Sequence, residues 1–292
     1  MRAPLFWDRP PSQPAWQSRV LAPLSWIYAK ATAQRVSKAA KLVPNVPVIC
    51  IGNINAGGTG KTPTTIALAQ MLIELGRKVC IVSRGYGGSL AGPVLVTERH
   101  RADQVGDEPL LMAAFADVIV AKDRAAGVAM AQDDGAEVVL MDDGFQNPDV
   151  AKTLSIVVVD AAKGFGNGRV LPSGPLRESV PAGMARADLV VSVGSPDAQK
   201  RFATLWGDQI TTPHLRAHLE PLPTGMPWDG LRCLAFAGIG YPDKFFATLR
   251  GLGADVVRGE ALKDHQPLSD ALMIRLEGEA KMLGLQLVTT EK

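Results

Sequence analysis

The chain has 292 residues, which is enough for two ordinary domains or one large one. Hydrophobic residues make up 47% and charged residues 21%, which excludes a disordered chain, and no apolar run approaches the roughly 18 residues needed to span a bilayer. The net charge of +2 favours no particular partner, and we expect no nucleic-acid ligand.

Residues 1–45 form the first predicted segment and carry the basic excess of the chain. Residues 1–41 hold seven basic side chains against one acid, whereas the remainder holds 24 basic and 28 acidic residues. Three of the five tryptophans lie in the first 26 residues, and Pro23 is expected to begin the regular helix or to kink it. One helical face collects the apolar residues Val20, Leu21, Leu24, Ile27, Tyr28 and Ala31. Such helices lie in membrane interfaces, so we predict a membrane-associating segment. The alternative is a helix packed on the core with a solvated basic face.

Short apolar runs rich in Val and Ile recur through residues 46–205, with helix-compatible segments between several of them. The runs are VPVICIGN, KVCIVSR, ADVIVAK, AEVVLMDD, LSIVVVDA and ADLVVSVG. Continuous apolarity fits strands that are covered on both faces, so the pattern predicts an α/β, doubly wound, mostly parallel sheet. Ligands of such sheets bind at the carboxyl ends of the strands, which is where the polar residues follow these runs.

A phosphate-binding loop is predicted directly after the first of these runs. The motif G-x-x-x-x-G-K-[ST] ends here in Gly60, Lys61 and Thr62, but Asn55 stands at the first glycine position. Asparagine tolerates left-handed backbone angles, so we expect the turn to survive. Lys61 would reach the β- and γ-phosphates, and Thr62 would ligate Mg²⁺. The predicted nucleotide-binding residues are Asn55, Ala56, Gly57, Gly58, Thr59, Gly60, Lys61 and Thr62.

Three further motifs contain acidic side chains or a histidine and are candidates for metal binding or catalysis. Asp142 and Asp143 follow a buried strand, as the Mg²⁺-binding carboxylate of such nucleotide sites does, although Asp-Asp-Gly alone is usually a turn. The stretch VGDEP contains Asp107, which could equally be a helix N-cap, and LKDHQP contains His265, which could lie in an ordinary turn.

The composition of the sequence changes after residue 205, where prolines cluster and shorter strand-like runs follow. RCLAFAGIG, ADVVRGE and LQLVTTEK are predicted strands, with a helix around PDKFFATLRGLG. We therefore predict a smaller α/β domain over residues 206–292. The three cysteines, Cys50, Cys80 and Cys233, include no C-x-x-C pair and are expected to be reduced and buried.

Several short motifs occur in a fixed order along the chain. A phosphate-binding loop alone would identify only a superfamily, whereas the ordered set is specific to one family. The motifs are FW (6–7), PLSWIY (23–28), IGN (51–53), AGGTGKTP (56–63), SRGYGG (83–88), GDEP (106–109), DDGFQ (142–146), GFGNGRVLPSGPLRE (164–178), FAGIGYPDKFF (236–246), DHQ (264–266) and TTEK (289–292). Together they resemble the tetraacyldisaccharide 4'-kinase family, the lipid A 4'-kinases. The family usually continues for some tens of residues beyond TTEK, so the second domain is expected to be truncated at its end.

The resemblance implies a P-loop kinase that uses ATP and Mg²⁺. It implies transfer of a phosphoryl group to the 4'-hydroxyl of a tetraacylated glucosamine disaccharide 1-phosphate, giving lipid IVA, by a peripheral monomer on the cytoplasmic face of the inner membrane. Asp107 would accept the proton of the sugar hydroxyl, with His265 as its dyad partner and Lys61 at the phosphates. The implied metal shell is Thr62, Asp142, Asp143 and Glu178, and the implied anion or substrate contacts are Arg84, Tyr86, Arg124 and Arg177.

Two other classes of protein share such a loop. A partitioning-type ATPase would carry a signature lysine before the paired glycines, where this chain has Ala56. A carboxylate-activating ligase would not need the basic, Trp-rich N-terminus. Without the family resemblance, the residues support phosphoryl transfer or hydrolysis near a membrane and do not name the acceptor.

Overall fold

The computed structural model describes residues 3–221, 225–239, 242–263 and 268–290. By its contacts the chain divides into two compact units, one covering Ala3–Leu219 and the other beginning at Glu220. The sequence placed this boundary after residue 205. The structural boundary lies later because a short strand at residues 214–217 belongs to the sheet of the first unit.

The larger unit begins with three short helical elements. A 3-10 helix covers Leu5–Asp8, and two α-helices follow, α1 (Trp16–Val20) and α2 (Ala22–Val36). Pro23 lies in the first turn of α2, where its missing N–H costs nothing, so it begins the helix and does not kink it.

Eight strands form the sheet of the larger unit, counted over its described residues. They are β1 (Val48–Gly52), β2 (Val79–Ser83), β3 (Val94–Leu95), β4 (Asp117–Val120), β5 (Val138–Asp142), β6 (Leu154–Asp160), β7 (Leu189–Val193) and β8 (His214–Ala217). Their order is β3-β4-β2-β5-β1-β6-β7-β8, and every pairing is parallel except that of β3 with β4. All six predicted runs are strands, and β3 and β8 are additional edge strands.

Helices cover both faces of this sheet. They are α3 (Lys61–Glu74), α4 (Ala102–Val105), α5 (Asp107–Ala113), α6 (Arg124–Asp133), α7 (Val180–Met184) and α8 (Pro196–Trp206), and a 3-10 helix follows at Gly207–Gln209. One buried cluster joins the sheet to α3, α4 and α5, and another joins it to α6, α7 and α8. The two-sided burial explains the continuous apolarity of the strands, and the predicted doubly wound α/β fold is confirmed.

The smaller unit contains three strands and two helices within its described residues. They are β9 (Arg232–Ala237), α9 (Pro242–Gly251), β10 (Asp255–Ala261), α10 (Asp270–Leu283) and β11 (Gln286–Thr289). The parallel strands are ordered β10-β9-β11, and separate apolar clusters involving α9 and α10 cover the sheet. A second, smaller α/β unit is therefore confirmed.

Cys50, Cys80 and Cys233 are buried and free, as predicted. Within the described parts of the chain, no helix is long and apolar enough to cross a membrane.

Candidate nucleotide site

Three neighbouring strands bring the predicted site residues to one edge of the large sheet. The strands β2, β5 and β1 lie side by side and run parallel, so their carboxyl ends meet at the same edge. The phosphate-binding loop follows β1, Asp142 is the last residue of β5, and Arg84 directly follows β2. Motifs that are distant along the chain therefore converge where open parallel sheets bind their ligands.

The loop between β1 and α3 has the shape of an anion-binding turn. Gly57 and Gly60 have φ angles of 110° and 93°, in the left-handed region that residues with a side chain rarely adopt. The Asn53 side-chain amide donates to the Gly57 carbonyl at 3.2 Å and to the Thr59 hydroxyl at 3.1 Å. Because α3 begins at Lys61, the positive end of its dipole lies at this turn.

The first residues of the loop are anchored to a second loop, residues 164–178, which we call the bridging loop. The Asn55 side-chain amide donates to the Gly164 carbonyl at 3.0 Å, and the Ala56 amide donates to the Pro175 carbonyl at 2.7 Å. The turn forms without the first glycine, but the φ angle of Asn55 is not positive, so tolerance of a left-handed angle is not the reason. Asparagine serves here as a side-chain anchor, and the main-chain N–H of Ala56 is already bonded within the protein.

Asp142 and Asp143 occupy opposite electrostatic environments although they are adjacent. Asp142 is buried, and its pKa is raised to about 6 by burial and then by the charges of Asp143 and Glu108. Burial also acts on Asp143, but Lys61 and Arg177 outweigh it and hold the pKa of Asp143 below its ordinary value. The Lys61 Nζ atom lies 3.6 Å from Asp143 Oδ1. Lys61 is therefore held beside a carboxylate at the end of β5.

The donor set at this edge fits Mg²⁺. One carboxylate oxygen of Asp142, Oδ1, is buried and has no hydrogen-bond partner, whereas Oδ2 accepts from the Ser83 hydroxyl at 3.3 Å. No cluster of three His, Cys, Asp or Glu side chains that could hold a metal occurs in the described portions of the chain. A Mg²⁺ ion bound through Asp142 and Thr62 would need phosphate oxygens and water to complete its shell, which is how this ion is usually held beside nucleotides.

Arg177 and Glu178 end the bridging loop and reach the same edge. Arg177 binds Asp143 through both terminal nitrogens, at 3.0 and 3.3 Å. Glu178 is buried and accepts from Arg186 at 2.5 and 2.6 Å, and from Gln146 at 2.9 Å. The implied metal residue Glu178 is thus paired with Arg186. Neither Arg186 nor Gln146 was predicted as a site residue, although Gln146 lies within the DDGFQ motif.

The predicted anion contacts differ in their surroundings. Arg124 is buried and donates to the carbonyls of Val82 and Asp142, at 3.3 and 2.8 Å. Its guanidinium joins β2 to β5, and its assignment as an anion contact stays a prediction. Arg84 and Tyr86 are exposed on the loop after β2.

The beginning of α5 lies next to this loop and to the end of β5. Asp107 is the first residue of α5 and is half-buried, and the N-cap of the helix is Gly106. A Cβ atom on Gly106 would lie 2.6 Å from the Tyr86 carbonyl oxygen, which shows how closely the two loops approach. Asp107 is therefore a helical residue and not the cap. Its implied partner His265 lies outside the described residues.

A cavity of about 390 Å³ lies between α2 and α7 in the same unit. Its lining combines apolar side chains with Lys30, Glu178 and Arg186; the other residues are Trp26, Ala29, Ala33, Val36, Ser179 and Ala182. The Lys30 ammonium also lies over the Trp26 ring, 5.3 Å from its centroid.

We expect Asp142→Asn to raise the melting temperature of the protein at pH 7.5 in EDTA without nucleotide. Folding raises the pKa of the Asp142 carboxyl from 3.8 to about 6. Its contribution to the stability of the fold is therefore fully present below pH 3.8, the pKa in the unfolded chain, and is lost as the pH rises through about 6. The shift corresponds to about 3 kcal/mol at most. Scanning calorimetry at pH 7.5 and 4.5 should show a gain that shrinks at the lower pH.

The neighbouring substitution Asp143→Asn is the matched control for this prediction. The pKa of Asp143 is lowered, so its ionised form stabilises the fold above the unfolded pKa and that contribution is lost as the pH falls. Asp143→Asn should therefore lower the melting temperature at pH 7.5. Equal shifts of the same sign for both variants would contradict the assigned environments.

Comparison with known proteins agrees with this geometry. A profile of the family described as tetraacyldisaccharide-1-P 4'-kinase matches residues 17–292. The tetraacyldisaccharide 4'-kinases of Jannaschia sp. (strain CCS1) and Dinoroseobacter shibae are 60% and 58% identical to this chain, over all of it and over 88% and 87% of their own lengths. A crystal structure of LpxK from Aquifex aeolicus in complex with ATP superposes with a TM-score of 0.74 at 26% identity, covering 94% of this chain and 88% of that one.

These matches span almost the whole chain and include both units described above. The resemblance that the ordered motifs indicated is therefore confirmed, and the chain belongs to the tetraacyldisaccharide-1-P 4'-kinase family.

Proposed function

We propose that this chain transfers the γ-phosphoryl group of ATP to the 4'-hydroxyl of a tetraacyldisaccharide 1-phosphate, forming lipid IVA in lipid A biosynthesis. The observation that carries the proposal is the convergence of Lys61, Asp142 and Asp107 at one edge of the sheet in a chain of this family. Catalysis of phosphoryl transfer depends mainly on positioning the reactants and on stabilising the charge of the transition state, and these groups supply both.

The phosphate-binding loop and Lys61 receive the β- and γ-phosphates. In the present arrangement Lys61 lies beside Asp143, and Arg177 binds the same carboxylate. Arg177 can neutralise Asp143 when Lys61 turns to the phosphates, so the exchange leaves no unpaired buried charge. Thr62 and Asp142 would hold Mg²⁺, which would supply positive charge beside the phosphates when bound.

Asp107 accepts the proton of the acceptor hydroxyl. Asp107 occupies the first position of α5, so its carboxylate lies at the positive end of the helix dipole. Glu108 follows it and contributes to the raised pKa of Asp142, so this end of α5 faces the metal-binding edge. Arg84 and Tyr86 on the adjacent exposed loop are proposed to contact the anionic acceptor.

The proposal is tested by incubating the protein with Mg-ATP and a tetraacyldisaccharide 1-phosphate in detergent micelles. We expect one new phosphate on the disaccharide, located at the 4'-position by mass spectrometry and NMR. ATP turnover should depend on the acceptor. Acceptor-independent release of phosphate with no phosphorylated lipid would favour the nucleotide-switch alternative and would contradict the kinase.

We further propose that α1 and α2 contact the cytoplasmic face of the inner membrane and that the chain acts there as a monomer. The face of these helices that turns inward carries the hydroxyls of Ser18, Ser25 and Thr32, all buried. The exposed side is apolar and comprises Trp16, Val20, Leu24, Trp26, Ile27 and Tyr28. An exposed apolar patch of this kind indicates an interaction surface, and the neighbouring Arg19 and Lys30 favour an anionic one. The cavity beside Lys30 is proposed to receive part of the acceptor lipid.

We expect the double substitution Leu24→Ser and Ile27→Ser to weaken binding to vesicles that contain phosphatidylglycerol. Both side chains are more than half exposed, so their loss removes apolar area from the membrane contact without opening the core. The matched control is Met71→Ser with Leu75→Ser, which removes two apolar side chains that are also more than half exposed, at and just after the end of α3. Vesicle sedimentation should separate the two variants by at least about tenfold in affinity. Equal binding by both variants would remove α2 from the membrane contact.

A further inference from the structure

A buried polar network joins the N-terminal helices to the bridging loop. The Ser25 hydroxyl donates to the Val170 carbonyl at 2.8 Å, and the Ser18 hydroxyl donates to the Ser173 carbonyl at 2.8 Å. Ser173 also donates its own main-chain N–H to the Ser25 hydroxyl at 3.0 Å. Because Ser18, Ser25 and Ser173 are buried, these bonds are shielded from water and hold the loop in one conformation.

Asn167 lies at the centre of this network. Its side-chain amide nitrogen donates to the Ser173 carbonyl at 2.9 Å and to the Ser18 hydroxyl at 3.1 Å, and its Oδ1 atom accepts from the Arg169 amide at 3.1 Å. The residue is 2% exposed. A Cβ atom on Gly174 would lie 2.0 Å from Asn167 Oδ1, so the loop folds tightly around this one side chain. Asn167 therefore fixes where the second half of the bridging loop lies.

The second half of the bridging loop is in turn bonded to the phosphate-binding loop. The Pro175 carbonyl accepts from the Ala56 amide, and the Arg177 amide donates to the Ile54 carbonyl, both at 2.7 Å. Asn55 forms an antiparallel bridge with Leu176. The residues that precede the phosphate-binding glycines are thus held as a short ladder by residues 175–177, and Arg177 carries the same segment to Asp143.

We propose that Asn167 is a positioning residue for the phosphate-binding loop and acts through residues 173–177. The inference rests on the proposed function, because it concerns the same nucleotide site. Asn167 touches no proposed substrate or metal group; it fixes the Ser173 carbonyl, and the ladder that follows sets the position of Ile54, Asn55 and Ala56. Groups that bind phosphate need placement within a fraction of an ångström, and supporting contacts supply that precision.

The test is the affinity for Mg-ADP in the absence of acceptor and lipid, measured by calorimetry on the full chain. We expect Asn167→Ala to weaken ADP binding about tenfold, the scale of a lost supporting contact. Ser18→Ala should weaken ADP binding clearly less than Asn167→Ala, because it removes the Ser18 bonds to Asn167 and to the Ser173 carbonyl but spares the bond of Asn167 to that carbonyl. The control for lost stability is Gln199→Ala, another buried side-chain amide with hydrogen bonds to Ser192 and Ala217.

The inference is overturned if Asn167→Ala and Gln199→Ala, compared at equal loss of melting temperature, bind ADP equally well. It is also overturned if Ser18→Ala weakens ADP binding as much as Asn167→Ala, because the helices would then position the site. If Asn167→Ala does not fold, Asn167→Asp replaces it, since it keeps the acceptor for Arg169 and removes the amide donors. Failure of the unsubstituted chain to bind Mg-ADP would instead contradict the proposed nucleotide site.

Discussion

Lys61→Ala should reduce phosphoryl transfer to the acceptor lipid by at least about 10²–10³-fold, the effect of removing one preorganised group that stabilises charge in a transition state. The fold should survive, because Asp143 keeps its two contacts with Arg177 when the ammonium is lost. Transfer is measured as initial rates of lipid phosphorylation in micelles, and folding as the melting temperature.

Lys152→Ala is the matched control for this variant. Lys152 is also a half-buried lysine, and its ammonium donates to the Asn147 carbonyl at 2.6 Å and not to Asp143. Its substitution should change the rate only through stability. Near-normal turnover by Lys61→Ala would remove the phosphate-binding loop from the mechanism.

Asp107→Asn should lower kcat about 10²–10⁴-fold, the usual contribution of a general base, and should change KM for the lipid little. The amide has the shape of the carboxylate and can occupy the same first position of α5, but it cannot accept the proton of the hydroxyl. The loss therefore falls on the chemical step and not on binding. Steady-state kinetics with varied acceptor at saturating ATP separate the two parameters.

Asp103→Asn tests whether any acid before α5 would give the same result. Asp103 is exposed on α4 and pairs with Arg101, so its loss should leave kcat close to normal. If Asp107→Asn raises KM while kcat hardly moves, Asp107 binds the acceptor and another group accepts the proton.

Elements with a local physical cause could be predicted from the residues. Six runs of Val and Ile predicted the six central strands, because two-sided burial demands continuous apolarity. The glycines with a lysine and a threonine predicted the anion-binding turn, since Gly57 and Gly60 have the backbone angles that glycine permits. The carboxylates after β5 could be placed near this turn because parallel neighbouring strands end at one edge.

The pairing of polar side chains and the choice of buried helical faces depend on which distant segments meet in the fold. Asn55 bonds to Gly164, and Glu178 bonds to Arg186, partners that depend on loops meeting in space. Arg124 is the first residue of α6. Its burial against two carbonyls depends on the packing of this helix start over β2 and β5. The apolar stripe of α2 would ordinarily predict the buried face of a helix. This stripe is exposed, because Ser18, Ser25 and Thr32 lie on the side of the helices that turns inward. The bridging loop supplies hydrogen-bond partners for the two serines, and no periodicity in the sequence predicts those partners.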